Sequence, residues 1–243
     1  MADRVNAAFS EPDRTNEFGQ PIGFALPHWT PRALPDAERL PGRYCTVERL
    51  ETDRHADELY AAYAAASDDS DWTYLPVGPF ESLERYREWV QAQAQIGDPR
   101  HYAVVDAFSG RAVGSLSLMR HDPTNGAIEV GWVIFSRAMQ RTPLSSEAHF
   151  LLMRYVFEEL RYRRYEWKCD SLNAPSRRAA VRLGFTFEGT FRQSTVYKGR
   201  SRDTSWFSVL DRDWPKVKEG FEAWLAPENF DEGGHQRVAL RTR

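Results

Sequence analysis

The sequence predicts an α/β fold, in which a single domain has a mixed, mostly antiparallel sheet with flanking helices. Segments of alternating hydrophobicity, which are typical of strands, occur between segments with helical spacing. Three of the strands follow one another through short turns, and such strands pair antiparallel. A long helix joins the third of them to the next strand, so these two central strands are expected to run parallel.

Composition is that of an ordinary globular protein with a core. Of 243 residues, 42% are apolar and 28% are charged. The two cysteines, Cys45 and Cys169, have neither disulfide-framework nor zinc-site spacing, so no metal is expected. The chain has no long apolar run and a polar N-terminus, which predict no membrane span and no signal peptide, and therefore a cytoplasmic protein.

The first half of the domain begins after a proline-rich segment. Residues 1–42 contain six prolines and no periodic pattern, and we expect an extended arm. The domain itself is predicted over residues 43–226. Its first strand is the alternating "RYCTVERL" (43–50), and two helices follow, the alanine-rich segment at 53–67 and the amphipathic segment at 82–95.

The central strands come next. "HYAVVDAF" (101–108) and "AVGSLSLMR" (112–120) predict a hairpin with Gly110 in its turn. A second turn, "HDPTNG", leads to "AIEVGWVIF" (127–135), the third strand of this group. We expect the three strands to form the antiparallel centre of the sheet.

The second half of the domain starts with the long helix, predicted from Pro143 to Tyr162. The remaining elements are a strand at 164–169, a short helix at 173–185, and a hairpin of strands at 185–197 and 203–212. The polar tail, residues 227–243, is predicted to be loose.

Charge is uneven along the chain. The net charge is −3, with a basic segment at 154–202 and an acidic one at 51–100. Two oppositely charged solvated surfaces, or an anion-binding and a cation-binding end, would both account for this. The negative total and the lack of interleaved basic and aromatic residues make a nucleic-acid partner an unfavoured reading.

Two motifs, in this order of elements, resemble the GNAT superfamily of N-acetyltransferases, and most of all its RimJ/RimL branch. They are "NAPS" (Asn173 to Ser176) and "LGFTFEG" (Leu183 to Gly189). The resemblance implies two parallel strands that splay apart, acetyl-CoA as the cosubstrate between them, and direct acetyl transfer to an amine. The implied partner is a small-molecule amine or a protein N-terminus, and a homodimer is left open.

The resemblance places the pantetheine arm along the strand at 127–135 and the pyrophosphate at the following helix start. Family members have small residues where this chain has Pro143 and Ser145. Thr142 suits an N-cap and Pro143 the first helical position, which leaves N–H groups for an anion, although a well-capped helix is the simpler alternative. The residues expected to bind the cosubstrate are Val133, Phe135, Gln140, Arg141, Thr142, Leu144, Ser145, Ser146, Asn173 and Ser176.

Two residues are candidates for catalysis. Glu129 lies on the first splayed strand, where a carboxylate of several family members deprotonates the amine; it could equally pair with an arginine. Ser176 is expected to protonate the CoA thiolate, because the tyrosine that many members use is missing from this helix. Asn173 would hold the pantetheine, or it could cap the helix that contains Ser176.

The acceptor is expected to bind on a different set of residues. The segment "DDSDWTYLPVGPF" lies where the family builds its acceptor wall, and Asp71, Trp72 and Tyr74 in it would suit a cationic amine. An ordinary loop with core anchors is the alternative. Thr195 stands where some RimL-like members carry a glutamate. This departure, with the missing glycine and tyrosine, keeps open a second function, a non-catalytic CoA-binding or interaction module.

Overall fold

The computed structural model describes residues 14–242, which belong to two compact units that divide between Pro31 and Arg32. Residues 1–13 of the predicted N-terminal arm lie outside the described residues, and residues 14–31 belong to the first unit. Its described part contains two short antiparallel strands, β1 (Arg14–Thr15) and β2 (Pro21–Ile22).

The described part of the second unit contains eight strands and five helices, together with shorter helical turns. In chain order these are β3 (Arg39–Pro41), β4 (Cys45–Arg49), α1 (Thr52–Ala64), α2 (Leu83–Ala94), β5 (Arg100–Asp106), β6 (Ala112–Asp122), β7 (Ala127–Phe135), α3 (Pro143–Arg154), β8 (Arg164–Asp170), α4 (Ala174–Arg182), β9 (Thr186–Tyr197), β10 (Arg200–Leu210) and α5 (Trp214–Leu225). A π-helical turn at Tyr155–Glu159 continues α3.

All eight strands form one sheet in the order β3-β4-β5-β6-β7-β8-β10-β9. Every neighbouring pair is antiparallel except β7 and β8, which run parallel, as the long intervening helix predicts. The predicted α/β fold is therefore confirmed. The predicted arm ends earlier than residue 42, because β3 pairs with β4 as part of the sheet.

Helices cover both faces of the sheet. Tyr102 and Val104 of β5 belong to one buried cluster, and Ala103 and Val105 belong to the other. Since successive side chains of a strand point to opposite faces, the two clusters lie on opposite sides. Helices α1 and α2 pack in the smaller cluster, and α3 and α5 pack in the larger one.

Helix α5 was not among the predicted elements. Its sequence carries the signal, because Trp214, Val217, Phe221 and Trp224 recur at helical spacing and Pro215 lies in the first turn. All four of these side chains are buried in the larger core cluster. The helix covers part of the larger core, to which the closing hairpin and the tail also contribute side chains.

The tail is ordered through residue 242, contrary to the predicted loose tail. Asn229 donates hydrogen bonds from its side-chain amide to the carbonyls of Trp224 and Val238. Gly220 of α5 lies so close to the passing chain that a Cβ there would be 2.0 Å from the Arg241 carbonyl oxygen. Buried amide hydrogen bonds and this close approach order a segment whose composition is polar.

None of the helices within residues 14–242 combines the length and the apolar character needed to span a bilayer.

Candidate active site

A cleft opens in the sheet where β7 and β8 separate. The two strands pair from Ala127 and Arg164 as far as Val130 and Trp167. Beyond that point β7 continues along β6 to Phe135, and β8 continues along β10. The second half of β7 therefore presents backbone N–H and C=O groups to the cleft that have no partner strand on that side.

Two cavities occupy this cleft. The smaller has a volume of about 440 Å³ and extends toward β9 and β10, and the larger has about 770 Å³ and extends toward the starts of α3 and α4. Six residues line both, and we call them the junction: Asp71, Tyr74, Val133, Trp167, Asn173 and Ser176. A molecule in one cavity can thus meet a molecule in the other at the ends of the splayed strands.

The larger cavity is strongly cationic. It is lined by Arg137, Arg141, Arg178 and Arg182, against the single carboxylate of Asp71. That carboxylate is already neutralised, since the Arg137 guanidinium donates to it over 2.6 Å. The remaining positive charge favours an anionic ligand.

The start of α3 faces the larger cavity and keeps its amide groups available. Thr142 occupies the N-cap position and Pro143 the first helical position, as predicted. The Thr142 hydroxyl does not cap the helix; it donates to the Met139 carbonyl over 2.7 Å. The N–H groups of Leu144 and Ser145 belong to the first turn, where no helical carbonyl precedes them, so they remain potential anion donors.

Most of the residues predicted for the cosubstrate line the larger cavity. Val133, Phe135, Gln140, Arg141, Ser145, Ser146, Asn173 and Ser176 all do so. The side chains of Thr142 and Leu144 do not, since the former turns to Met139 and the latter packs against the core. The hydroxyls of Ser145 and Ser146 are partly engaged, by the Thr142 carbonyl and by the Arg182 guanidinium respectively.

The start of α4 supplies the other wall of the junction. Asn173 accepts a hydrogen bond from the Ser176 N–H over 3.1 Å, so its side chain caps the helix. The Ser176 hydroxyl accepts a hydrogen bond of 3.0 Å from the Trp167 indole. That bond uses a lone pair of the oxygen, so the hydroxyl keeps its proton for donation. Cys169 lies nearby, and burial raises its pKa, so it is a thiol. A hydrogen bond from the Ser176 hydroxyl to the Cys169 sulfur lowers the pKa of that thiol in part.

Glu129 lines the smaller cavity, and basic side chains contact one of its two carboxylate oxygens. Lys168 binds Oε2 over 2.7 Å and Arg120 approaches the same oxygen at 3.3 Å. In the described part of the chain no donor is bound to Oε1. Burial raises the pKa of Glu129 above its ordinary value, and the charge of Lys168 opposes that shift.

Lys168 was not singled out by sequence reasoning. Its ammonium bridges Glu129 and Glu166 and lies 3.7 Å from the centre of the Trp206 ring. Charged and apolar residues alternate along this strand, "RYEWKCD", so Glu166 and Lys168 share one face, and this alternation is the sequence signal for their pairing. Charge pairing and ring contact together hold the side chain in place.

His149 is a second residue that the sequence did not point to. It is buried beneath the larger cavity, with its ring 5.0 Å from that of Trp167. Burial, together with the nearby Arg182 charge, lowers its pKa to about 3, so the imidazole is neutral under ordinary conditions. Its Nδ1 has no hydrogen-bond partner within residues 14–242.

The residues predicted for the acceptor have different surroundings. Asp71, Tyr74 and Thr195 line the smaller cavity. Trp72 does not, because its ring is buried in the smaller core cluster against Tyr63. For Trp72 the alternative of a loop with core anchors holds, because its buried ring anchors the loop between α1 and α2 in the smaller core cluster.

The acceptor loop is tied across the cleft. The Tyr74 hydroxyl donates to the Leu172 carbonyl over 3.2 Å, and Lys198 donates to the carbonyls of Trp72 and Gly78. Both contacts join the loop between α1 and α2 to the opposite wall. Asp71, which belongs to this loop, forms an ion pair with Arg137. Its carboxylate is therefore already paired and not available for a cationic ligand.

No group of His, Cys, Asp and Glu side chains in the described ranges has the composition of a metal site.

Comparison with known proteins agrees with this geometry. Residues 46–186 match the family described as acetyltransferase (GNAT) domain. A GCN5-related N-acetyltransferase from Brucella melitensis, of known structure, is 47% identical with a TM-score of 0.86, covering 88% of this chain and 97% of that one. An acetyltransferase structure from Chromobacterium violaceum is 41% identical, with a TM-score of 0.75 and coverage of 81% and 98%.

A curated relative has a more specific name. YdaF of Bacillus subtilis strain 168, provisionally named a ribosomal N-acetyltransferase, is 28% identical over 149 residues, covering 60% of this chain and 80% of that protein.

Proposed function

Because the chain belongs to the acetyltransferase (GNAT) family, we propose that it transfers an acetyl group from acetyl-CoA directly to a primary amine. The observation that carries the proposal is the pair of cavities that meet at the ends of the splayed strands. One cavity is cationic and open to a helix start, and the other is lined by a buried carboxylate. Two reactants held end to end in this way gain much of the rate from proximity and orientation.

The larger cavity fits acetyl-CoA by its donor set. Arg141, Arg178 and Arg182, together with the free amides at the start of α3, suit the phosphates. The unpaired edge of β7, from Gly131 to Phe135, offers backbone groups to the amides of the pantetheine arm. Bound acetyl-CoA supplies the thioester that the amine attacks.

Glu129 is the proposed base. Its Oε1 is free to accept a proton from the amine, while Lys168 holds Oε2 and so orients the carboxyl group. A buried carboxylate with a raised pKa is a better proton acceptor near neutral pH than an ordinary one. The charges of Lys168 and Arg120 lower the pKa of Glu129 and so oppose the effect of burial.

Ser176 is the proposed acid. The Trp167 indole donates to the serine oxygen, and this arrangement aims the hydroxyl proton away from the indole, into the junction. A hydroxyl there can protonate a departing thiolate at the moment when charge develops on sulfur. Asn173, by capping α4, sets the position of the serine.

The branch of the family is a finer proposal. The similarity to YdaF, and the resemblance of the Asn173 and Ser176 motif to RimJ/RimL proteins, support that branch. On this proposal the acceptor is a small-molecule amine or the N-terminus of a protein.

The test is release of CoA thiol from acetyl-CoA in the presence of peptides, polyamines, aminoglycosides and amino acids, with product masses. We expect turnover with at least one class. The Ser176→Ala variant should lower kcat about 100-fold and change the Kd for CoA less than twofold, because the acid acts only on the leaving group.

The matched control is Ser171→Ala, which removes a hydroxyl from the turn just before α4, outside both cavities. It should leave kcat unchanged. Tight CoA binding without turnover on any amine would contradict the proposal and favour a CoA-binding module instead.

A further inference from the structure

Arg202 of β10 lines the smaller cavity without an ionic partner. Its side chain is half-buried, and within residues 14–242 it forms no ion pair. Its Nε donates to the Thr204 hydroxyl over 3.1 Å. In the described part of the chain, the two terminal nitrogens of the guanidinium have no hydrogen-bond acceptor. A half-buried guanidinium in a cavity without a counter-ion is electrostatically unsatisfied.

The other charged groups near it already bind protein groups. Glu129 is bound by Lys168 and Arg120, and Asp71 by Arg137. Asp170 is buried, and its two oxygens accept from the Leu172 N–H and the Tyr197 hydroxyl. Within residues 14–242, Arg202 is thus the cation lining this cavity that forms no ion pair, and the Asp170 carboxylate in the same cavity is held by neutral donors.

The guanidinium is also held in position. Thr204 accepts from Arg202 and from the Ser194 hydroxyl, and it is buried. On another side the Arg202 guanidinium lies 5.9 Å from the centre of the Tyr197 ring. Because the head group is fixed before a ligand arrives, little conformational entropy is lost when one binds.

We propose that the acceptor is a small amine that also carries a carboxylate, which Arg202 binds while the amino group meets Glu129. This rests on the proposed acetyl transfer and narrows its substrate class. The planar fork of arginine matches a carboxylate with two parallel hydrogen bonds. A cavity of about 440 Å³ is at the size of small-molecule sites, which suits a free amino acid.

The structure argues against a polycationic acceptor such as a polyamine. The aspartates of the acceptor loop, Asp68 and Asp71, both pair with Arg137. They are therefore not free to attract the extra ammonium groups of a polyamine. A peptide N-terminus without a nearby carboxylate would leave Arg202 unmatched.

The experiment compares acids with their amides. The probes are the twenty common amino acids, β-alanine and γ-aminobutyrate, each beside its carboxamide. Binding to CoA-saturated protein is measured by calorimetry, and kcat/KM with acetyl-CoA is measured separately. We expect at least one acid to exceed its amide about 10- to 100-fold in both readouts, as the loss of a charged hydrogen-bonding partner predicts.

Variants test whether Arg202 is the cause. Arg202→Gln should remove the difference between acid and amide, and Arg202→Lys should restore part of it. Arg192→Gln, which changes an exposed arginine of β9 outside both cavities, should keep the full preference.

The outcomes separate the two proposals. Equal use of acids and amides, or a preference that survives Arg202→Gln, overturns the carboxylate proposal but leaves acetyl transfer intact. Turnover with peptides or polyamines only would also overturn the carboxylate proposal and leave acetyl transfer intact. If no amine is acetylated, acetyl transfer fails, and calorimetry then decides the role of Arg202, because absence of any acid-selective binding overturns it.

Discussion

At the scale of single residues, the site depends on which atoms are already engaged. Glu129 has one oxygen bound to Lys168 and one that no donor in the described chain occupies. The sequence left two readings for this residue, a base or an ion-pair partner. The geometry is compatible with both at once, since the ion pair uses Oε2 and orients Oε1.

The pH dependence of the Glu129→Gln variant tests the base role. The pKa of Glu129 is raised by burial, so wild-type kcat should fall as pH drops through that raised pKa, where the carboxylate gains a proton. Glutamine cannot accept the proton, so the variant depends on free amine, which declines about tenfold per pH unit below the amine's pKa. The ratio of wild-type to variant rate should therefore be largest at low pH.

Glu166→Gln is the matched control for that experiment. Glu166 contacts the same lysine and lies opposite Glu129 in the strand register, but it does not line the smaller cavity. Its substitution keeps Glu129 as the base and should only move the fall in rate toward lower pH, because the Glu166 charge contributes to the raised pKa of Glu129. A parallel loss of rate at every pH in Glu129→Gln would point to another base.

At the scale of elements, the start of α3 is the feature that the sequence described incompletely. Thr142 and Pro143 take the predicted positions, yet the threonine hydroxyl turns back to Met139. The amides of the first turn are thereby left without a side-chain cap. A helix start that stays open toward Arg141, Arg178 and Arg182 is better suited to hold an anion than to stabilise its own helix.

The Ser145→Asp variant distinguishes anion binding from helix stabilisation at the start of α3. A carboxylate in the first turn stabilises a helix by about 0.5 kcal/mol, so Tm should stay the same or rise. The same charge repels the phosphates of CoA, and the Kd for CoA should increase about tenfold or more. Thermal melting and calorimetry check both effects.

The control for the helix start is Ser145→Ala, which loses the hydrogen bond to the Thr142 carbonyl without adding charge. It should change the Kd for CoA only slightly. An unchanged Kd in Ser145→Asp would mean that the phosphates bind elsewhere.

At the scale of the whole molecule, α3 is tied to the far edge of the sheet. Glu147 is buried and accepts hydrogen bonds from the backbone N–H groups of Arg43, Tyr44 and Cys45 at 2.6 to 2.8 Å. Gly42 packs so closely that a Cβ there would lie 2.6 Å from the Glu147 carboxylate. The turn between β3 and β4 is thus fixed to the helix that carries the anion site.

Glu147→Gln should lower the free energy of unfolding by about 2 kcal/mol, because the amide group presents a donor to backbone donors. Urea denaturation measures the loss. Glu159→Gln, at an exposed glutamate shortly after α3, should be neutral. Equal stability of the two variants would show that this tether contributes nothing.

Sequence periodicity was sufficient for much of the architecture. It predicted the three central strands, the parallel pair across the long helix, and the short helix that begins after Asn173. Helix α5 was overlooked although its spacing is visible. The packing of the tail could not be predicted, because the hydrogen bonds of Asn229 and the close contact at Gly220 depend on chain segments that meet only after folding.

By itself the sequence determined the order of elements, the helix start at Thr142 and Pro143, and the positions of Glu129, Asn173 and Ser176 along the chain, because these follow from local propensity and spacing. Only the tertiary structure decided the state of each charge. It paired Asp71 with Arg137, engaged one oxygen of Glu129, buried Trp72 and left Arg202 unmatched. Ion pairs join residues far apart in sequence, so strand register and loop packing determine which charges remain free.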